Sequence, residues 1–134
     1  MVAELDRLVG RWRSRGRTVD GLDVAGTDVY EWFPGKGFLV HHVDVTMGDE
    51  HVRVLEMIGS EAPGGGWLMR AFDNQGGYGE MVATTVPDGG LTFADAHARA
   101  TVTFDGATSM AAHWERLVDG RWEPWMDMEF TRQD

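Results

Sequence analysis

The chain contains no cysteine. This excludes a disulfide framework, thiolate chemistry and a cysteine-ligated zinc site, and it fits a reducing cytoplasm. Long apolar runs are also missing. No stretch approaches the ~20 apolar residues of a membrane span, and MVAELDRLVG lacks the basic start and apolar run of a signal peptide. A soluble, cytoplasmic protein is expected. Positive charge is scarce: 12 Lys and Arg stand against 22 Asp and Glu, a formal charge of −10. That balance opposes long-range attraction to nucleic acid or anionic lipid, so neither is an expected partner. Gly-x-Ser-x-Gly, the phosphate loop and the dinucleotide fingerprint are all absent, so nucleophilic catalysis and nucleotide use are not expected.

Helical periodicity is nearly absent too; only residues 3–9, AELDRLV, gather Leu5, Leu8 and Val9 on one side. What is abundant is glycine, 18 of 134 residues, about twice the usual ~7%. The glycines cluster in PGKG, EAPGG, DNQGG and PDGG between short apolar runs, as turns between strands do. Strands are expected near residues 10–18, 27–33, 38–47, 51–60, 66–73, 78–86, 90–95, 98–104, 108–118 and 121–132. With no repeat or linker, residues 1–134 read as one all-β domain with a short N-terminal helix. Ten strands joined mostly by hairpins form a closed antiparallel up-and-down barrel when the first and last pair, which removes both edges.

Tight loops fix which residues face each other, and facing residues share a side of the sheet. With Gly48-Asp49 as a loop, Asp44 meets Arg53 outside, while Val43 meets Val54 and His41 meets Glu56 inside. With Asp105-Gly106 as a loop, Val102 meets Ser109 and Ala100 meets Ala111. With Asp119-Gly120 as a loop, Leu117 meets Trp122, Glu115 meets Pro124, His113 meets Met126 and Ala111 meets Met128, all inside. Both of the last two loops therefore send Ala111 inward. In GRWRSRGR the same alternation leaves Arg11, Arg13, Arg15 and Arg17 in water, beside Asp127 and Glu129 of the last strand, and turns Trp12, Ser14 and Gly16 inward. The stripe reads as a solvated face with cross-strand ion pairs.

Gly10-x-Trp12 on a first strand that follows a short helical turn, with Arg132 late in the last strand, resembles the signature of the calycin superfamily. Within that superfamily of lipocalins, fatty-acid-binding proteins and nitrobindins, the chain is most similar to lipocalin-like bacterial domains. The resemblance implies a barrel with a tryptophan plugging one end, an arginine packed across it, and a small molecule in the lumen. The nitrobindin pattern Gly-x-Trp-x-Gly-x-Gly is matched at Gly10, Trp12 and Gly16 and broken at Ser14. Those relatives imply haem held by a late histidine, for which His113 is the nearest counterpart; otherwise no cofactor is expected.

The lumen is where chemistry is sought. Trp32, Val43, Val54, Phe104, Met126 and Met128, with His113 and Glu115 as polar groups, are the expected ligand-binding residues; apolar walls with few polar groups suit a small, largely apolar or aromatic molecule. A four-residue loop at residues 34–37 sets Tyr30 opposite His41, which already faces Glu56. The row Tyr30, His41 and Glu56 is therefore either a self-satisfied polar network or a catalytic set, with His41 as base, Glu56 as its orienter and Tyr30 as hydrogen-bond donor. Such a set suits isomerisation, cyclisation or proton abstraction beside a carbonyl. No metal site is expected, because no His-x-His or His-x-x-x-His occurs and His41 and His42 point to opposite faces. Trp114 and Trp125 fall outside in this reading and would join two copies of the chain as a homodimer.

Overall fold

The N-terminal residues settle on the floor of a barrel in the computed structural model, which describes residues 2–133. The strands are β1 (Gly10–Thr18), β2 (Asp23–Trp32), β3 (Leu39–Met47), β4 (Glu50–Glu61), β5 (Trp67–Asp73), β6 (Tyr78–Thr85), β7 (Leu91–Ala94), β8 (Ala98–Asp105), β9 (Ser109–Val118) and β10 (Arg121–Arg132). Each pairs antiparallel with its neighbours in sequence, and β10 closes on β1 to complete the barrel; the short β7 covers only Val82–Thr85 of β6. The N-terminal element is a single 3₁₀ helix, Val2–Leu8, instead of two α-helical turns. Among the described residues no helix is long and apolar enough to cross a membrane.

Alternation along β1 puts Arg11, Arg13, Arg15 and Arg17 in solvent and buries Trp12, Ser14 and Thr18. Closure sets Arg15 opposite Glu129 and Arg17 opposite Asp127, as the stripe suggested, and Arg17 also lies 3.6 Å from Asp23.

One end of the barrel is plugged. Leu5, Leu8 and Trp12 are fully buried, and the Trp12 indole N–H donates to the Leu8 carbonyl at 2.8 Å. The Arg132 guanidinium lies 4.2 Å above the Trp12 ring and donates to the carbonyls of Val9, Arg7 and Ala107. One cation thus ties the last strand, the 3₁₀ segment and the β8–β9 loop together. Gly10 makes this possible: its φ is +139°, and a Cβ there would collide with Arg132 Nη1.

Two registers differ from the sequence reading. The β8–β9 loop has three residues, Gly106 to Thr108, so Val102 meets Ala112 and Ala100 meets Trp114. The odd shift turns β9 over, because side chains alternate with period two: Met110, Ala112 and Trp114 point inward, while Ala111 and His113 are exposed. The β9–β10 pairing starts as expected, with Arg116 opposite Glu123, but shifts between Pro124 and Met126 and leaves Trp125 without a partner. Pro124 has no N–H for the ladder, which favours a bulge there. The Trp125 carbonyl instead accepts from Val19 N–H at 2.8 Å. Past the bulge Met126, Met128 and Phe130 turn inward. The agreement on Ala111 arose from two opposite errors, a missing loop residue and a missing bulge.

Candidate functional site

Above the plug the lumen holds a cavity of about 310 Å³. It runs from Leu8 and the polar residues Asp28, Tyr30 and Glu56 to Val24, Met47, Val52 and Trp125 near the opposite loops. Its walls are mostly aliphatic and methionine side chains, including Val43, Val54, Met69, Met81, Met110, Met126 and Met128. Flexible thioethers suit an irregular guest.

The polar floor is a connected chain. Cross-strand pairing places Tyr30 opposite His41 and His41 opposite Glu56, as the loops required. Asp28, two residues before Tyr30 on the same face of β2, completes it. Ser14 Oγ donates to Asp28 Oδ1 at 2.5 Å, Asp28 Oδ2 lies 2.6 Å from His41 Nε2, and His41 Nδ1 lies 2.9 Å from Glu56 Oε1. The Tyr30 ring stacks on the imidazole. Each of Asp28, Tyr30, His41 and Glu56 is no more than 8% exposed.

Burial alone would lower the His41 pKa, but hydrogen bonds and charge from Asp28 and Glu56 outweigh it and raise the pKa from 6.5 to about 9. His41 is therefore an imidazolium at neutral pH, giving one N–H to each carboxylate. Both ring nitrogens are engaged by carboxylates, and His41 is not among the residues that line the cavity. Burial, then the nearby Asp28 and Glu56 charges, push the Tyr30 phenol well above its usual value, so it keeps its proton.

Glu56 Oε2 and Tyr30 Oη have no hydrogen-bond partner among the described residues. Yet no fully buried side-chain nitrogen or oxygen among those residues lacks a partner. These two atoms, on residues that line the cavity, must therefore reach its space.

Of the other sequence candidates, Val43, Val54, Met126 and Met128 line the cavity. Trp32 and Phe104 pack against the core at the plugged end, with the Trp32 indole N–H donating to Asp6 and Arg7 lying over the Phe104 ring. His113 and Glu115 are corrections: the β9 inversion places them on the outer wall, where His113 Nδ1 is 2.7 Å from Asp127 and Glu115 accepts from Arg99 at 2.7 Å. His113 therefore does not present a haem ligand to the lumen. Trp114 and Trp125 are corrected the other way. Both line the cavity, edge to face with centroids 6.0 Å apart, so they form no outer patch for a second copy. Trp122, expected inside, lies outside under the Arg99 guanidinium. Among the described residues no group of three or more His, Asp or Glu is arranged to hold a metal ion.

Asp28 was missed, although its parity with Tyr30 would have found it. Pro124 was the unread signal for the bulge that brings Trp125 inside.

No family model matches the chain, and no curated protein matches it in sequence. Solved structures of similar fold include designed barrels. A fluorescence-activating β-barrel designed de novo superposes with a TM-score of 0.56 at 15% identity, over 99% of this chain and all of that one. EF1p2_mFAP2b bound to DFHBI gives 0.53 at 13% identity, over 99% of each chain. The redesigned barrel mFAP0 bound to DFHBI gives 0.53 at 12% identity, over 94% of this chain and 99% of that one. At these identities the likeness establishes the closed antiparallel barrel architecture.

Proposed function

We propose that this protein binds a small, largely apolar or aromatic molecule in its lumen, in the manner of a calycin-like barrel. The observation that carries the reading is the cavity itself: one end is sealed by Trp12 and Arg132, the walls are apolar, and a few polar atoms converge at the floor. That is the usual chemistry of a small-molecule pocket. The designed barrels EF1p2_mFAP2b and mFAP0, of similar fold, are bound to DFHBI, which supports the reading at the general level of the fold. Native mass spectrometry after exposure to a metabolite extract tests it. A specific unmodified adduct, lost when Ala112→Phe fills the cavity, is expected; no adduct at any extract concentration would count against the reading.

A second reading is favoured by the two free atoms in the cavity, one carboxylate oxygen and one phenol. Glu56 would take a proton beside a substrate carbonyl, Tyr30 would donate to the developing enolate oxygen, and His41 would hold Glu56 in place. Deuterium wash-in next to the carbonyl of 4-phenyl-2-butanone in D₂O, followed by NMR, checks it. Glu56→Gln should cut that rate by ~10² or more.

A further inference from the structure

We infer that the molecule seated in this lumen carries a positively charged hydrogen-bond donor, an ammonium or amidinium on an apolar or aromatic body, and that Glu56 and Tyr30 hold that group. The inference rests on the lumenal binding reading and goes beyond it by naming the ligand's polar end.

Three observations support it. The floor sets two carboxyl groups, Asp28 and Glu56, against the single imidazole of His41, so acidic side chains outnumber basic ones there by one. His41 spends both of its N–H groups on the carboxylates, and Asp28 is occupied at both oxygens by Ser14 and His41. The remaining acceptor is Glu56 Oε2, on a residue 7% exposed, and the remaining phenol is Tyr30 Oη, on a residue 5% exposed; both open on the cavity.

A wholly apolar guest would strip water from Glu56 Oε2 and return nothing, which is costly for a charged oxygen. A carboxylate guest would add a further acidic group in a site of low dielectric. An ammonium offers Glu56 a charge-assisted N–H and offers the phenol oxygen another, since a phenol accepts as well as donates. The excess acidic group is then matched. No arginine or lysine among the described residues lines the cavity to receive an anion.

The experiment uses three probes that share one apolar body and differ at one end: 4-phenylbutylamine, 4-phenylbutanol and 4-phenylbutyrate. Each is titrated into the full chain at neutral pH by calorimetry. The amine should bind about tenfold or more tightly than the alcohol, and the butyrate weakest. Glu56→Gln should bring amine and alcohol within about twofold of each other, and Tyr30→Phe should weaken the amine while leaving the fold unchanged by circular dichroism. Equal binding of amine and alcohol, or preference for the butyrate, overturns the charge assignment and leaves lumenal binding standing. Failure of all three to bind overturns both.

Discussion

The Tyr30 ring lies flat on the His41 imidazole, with centroids 3.9 Å apart and planes 9° apart. The phenol ring covers one face of a buried cation while two carboxylates hold its edges. Three neighbours therefore fix one protonation state and one orientation of His41, and Glu56 inherits that rigidity through its shared Oε1.

The held proton makes stability depend on pH. His41 binds its proton more tightly folded, at about 9, than unfolded, near 6.5, so its contribution is complete below the unfolded pKa and is lost as pH rises through the folded one. The shift is worth roughly 3 kcal/mol. Urea unfolding should show stability falling between about pH 6.5 and 9, and His41→Asn should flatten that slope.

Removing the imidazolium leaves two buried carboxylates with no cation between them. His41→Asn should cost about 3–5 kcal/mol near neutral pH. Adding Glu56→Gln should recover part of that loss, a coupling readable in a double-mutant cycle. Strict additivity would mean that the pair does not act as one unit.

At the plug, Gly10→Ala forces Arg132 off the Trp12 ring. A loss of roughly 2 kcal/mol or more is expected, with a change in the near-UV circular dichroism of the indole. In an Arg132→Ala background the same change should cost clearly less, because the collision is gone.

Ala112 sits against the cavity with its side chain buried. Ala112→Phe fills open volume, so stability should change by less than ~1.5 kcal/mol. Binding of 4-phenylbutylamine should fall below detection in the same calorimetric titration.

On the outer wall Arg15 stands opposite Glu129 in full solvent. Arg15→Ala should shift the unfolding free energy by no more than ~0.5 kcal/mol, less still at high salt.

Much of this fold is legible wherever a loop's length is fixed by its chemistry. Gly48-Asp49 and the loop at residues 34–37 dictated the rows through His41, and those rows stand in the barrel. Strand spans from Gly10 to Arg132 follow from glycine-rich turns and apolar runs. The second half of the wall was harder to read for a local reason. In the three-residue loop after Asp105 the Ala107 carbonyl accepts from Arg132, at the far end of the chain, and no short stretch of sequence contains that contact. Pro124 did contain the second signal, since a missing N–H within a paired strand calls for a bulge. At the floor, Tyr30 was placed correctly and Asp28 was overlooked, and with it the bridge that makes His41 a cation.

The bulge at Trp125 also bears on how the molecule behaves in a crowded solution. Loss of Pro124 would close the bulge by setting Trp125 opposite Glu115, and the large indole ring would then lie on the outer wall, where it would invite adhesion. A one-residue deletion at this point would trade a guest chamber for a sticky exterior, so colloidal behaviour and ligand capacity are set by the same backbone irregularity.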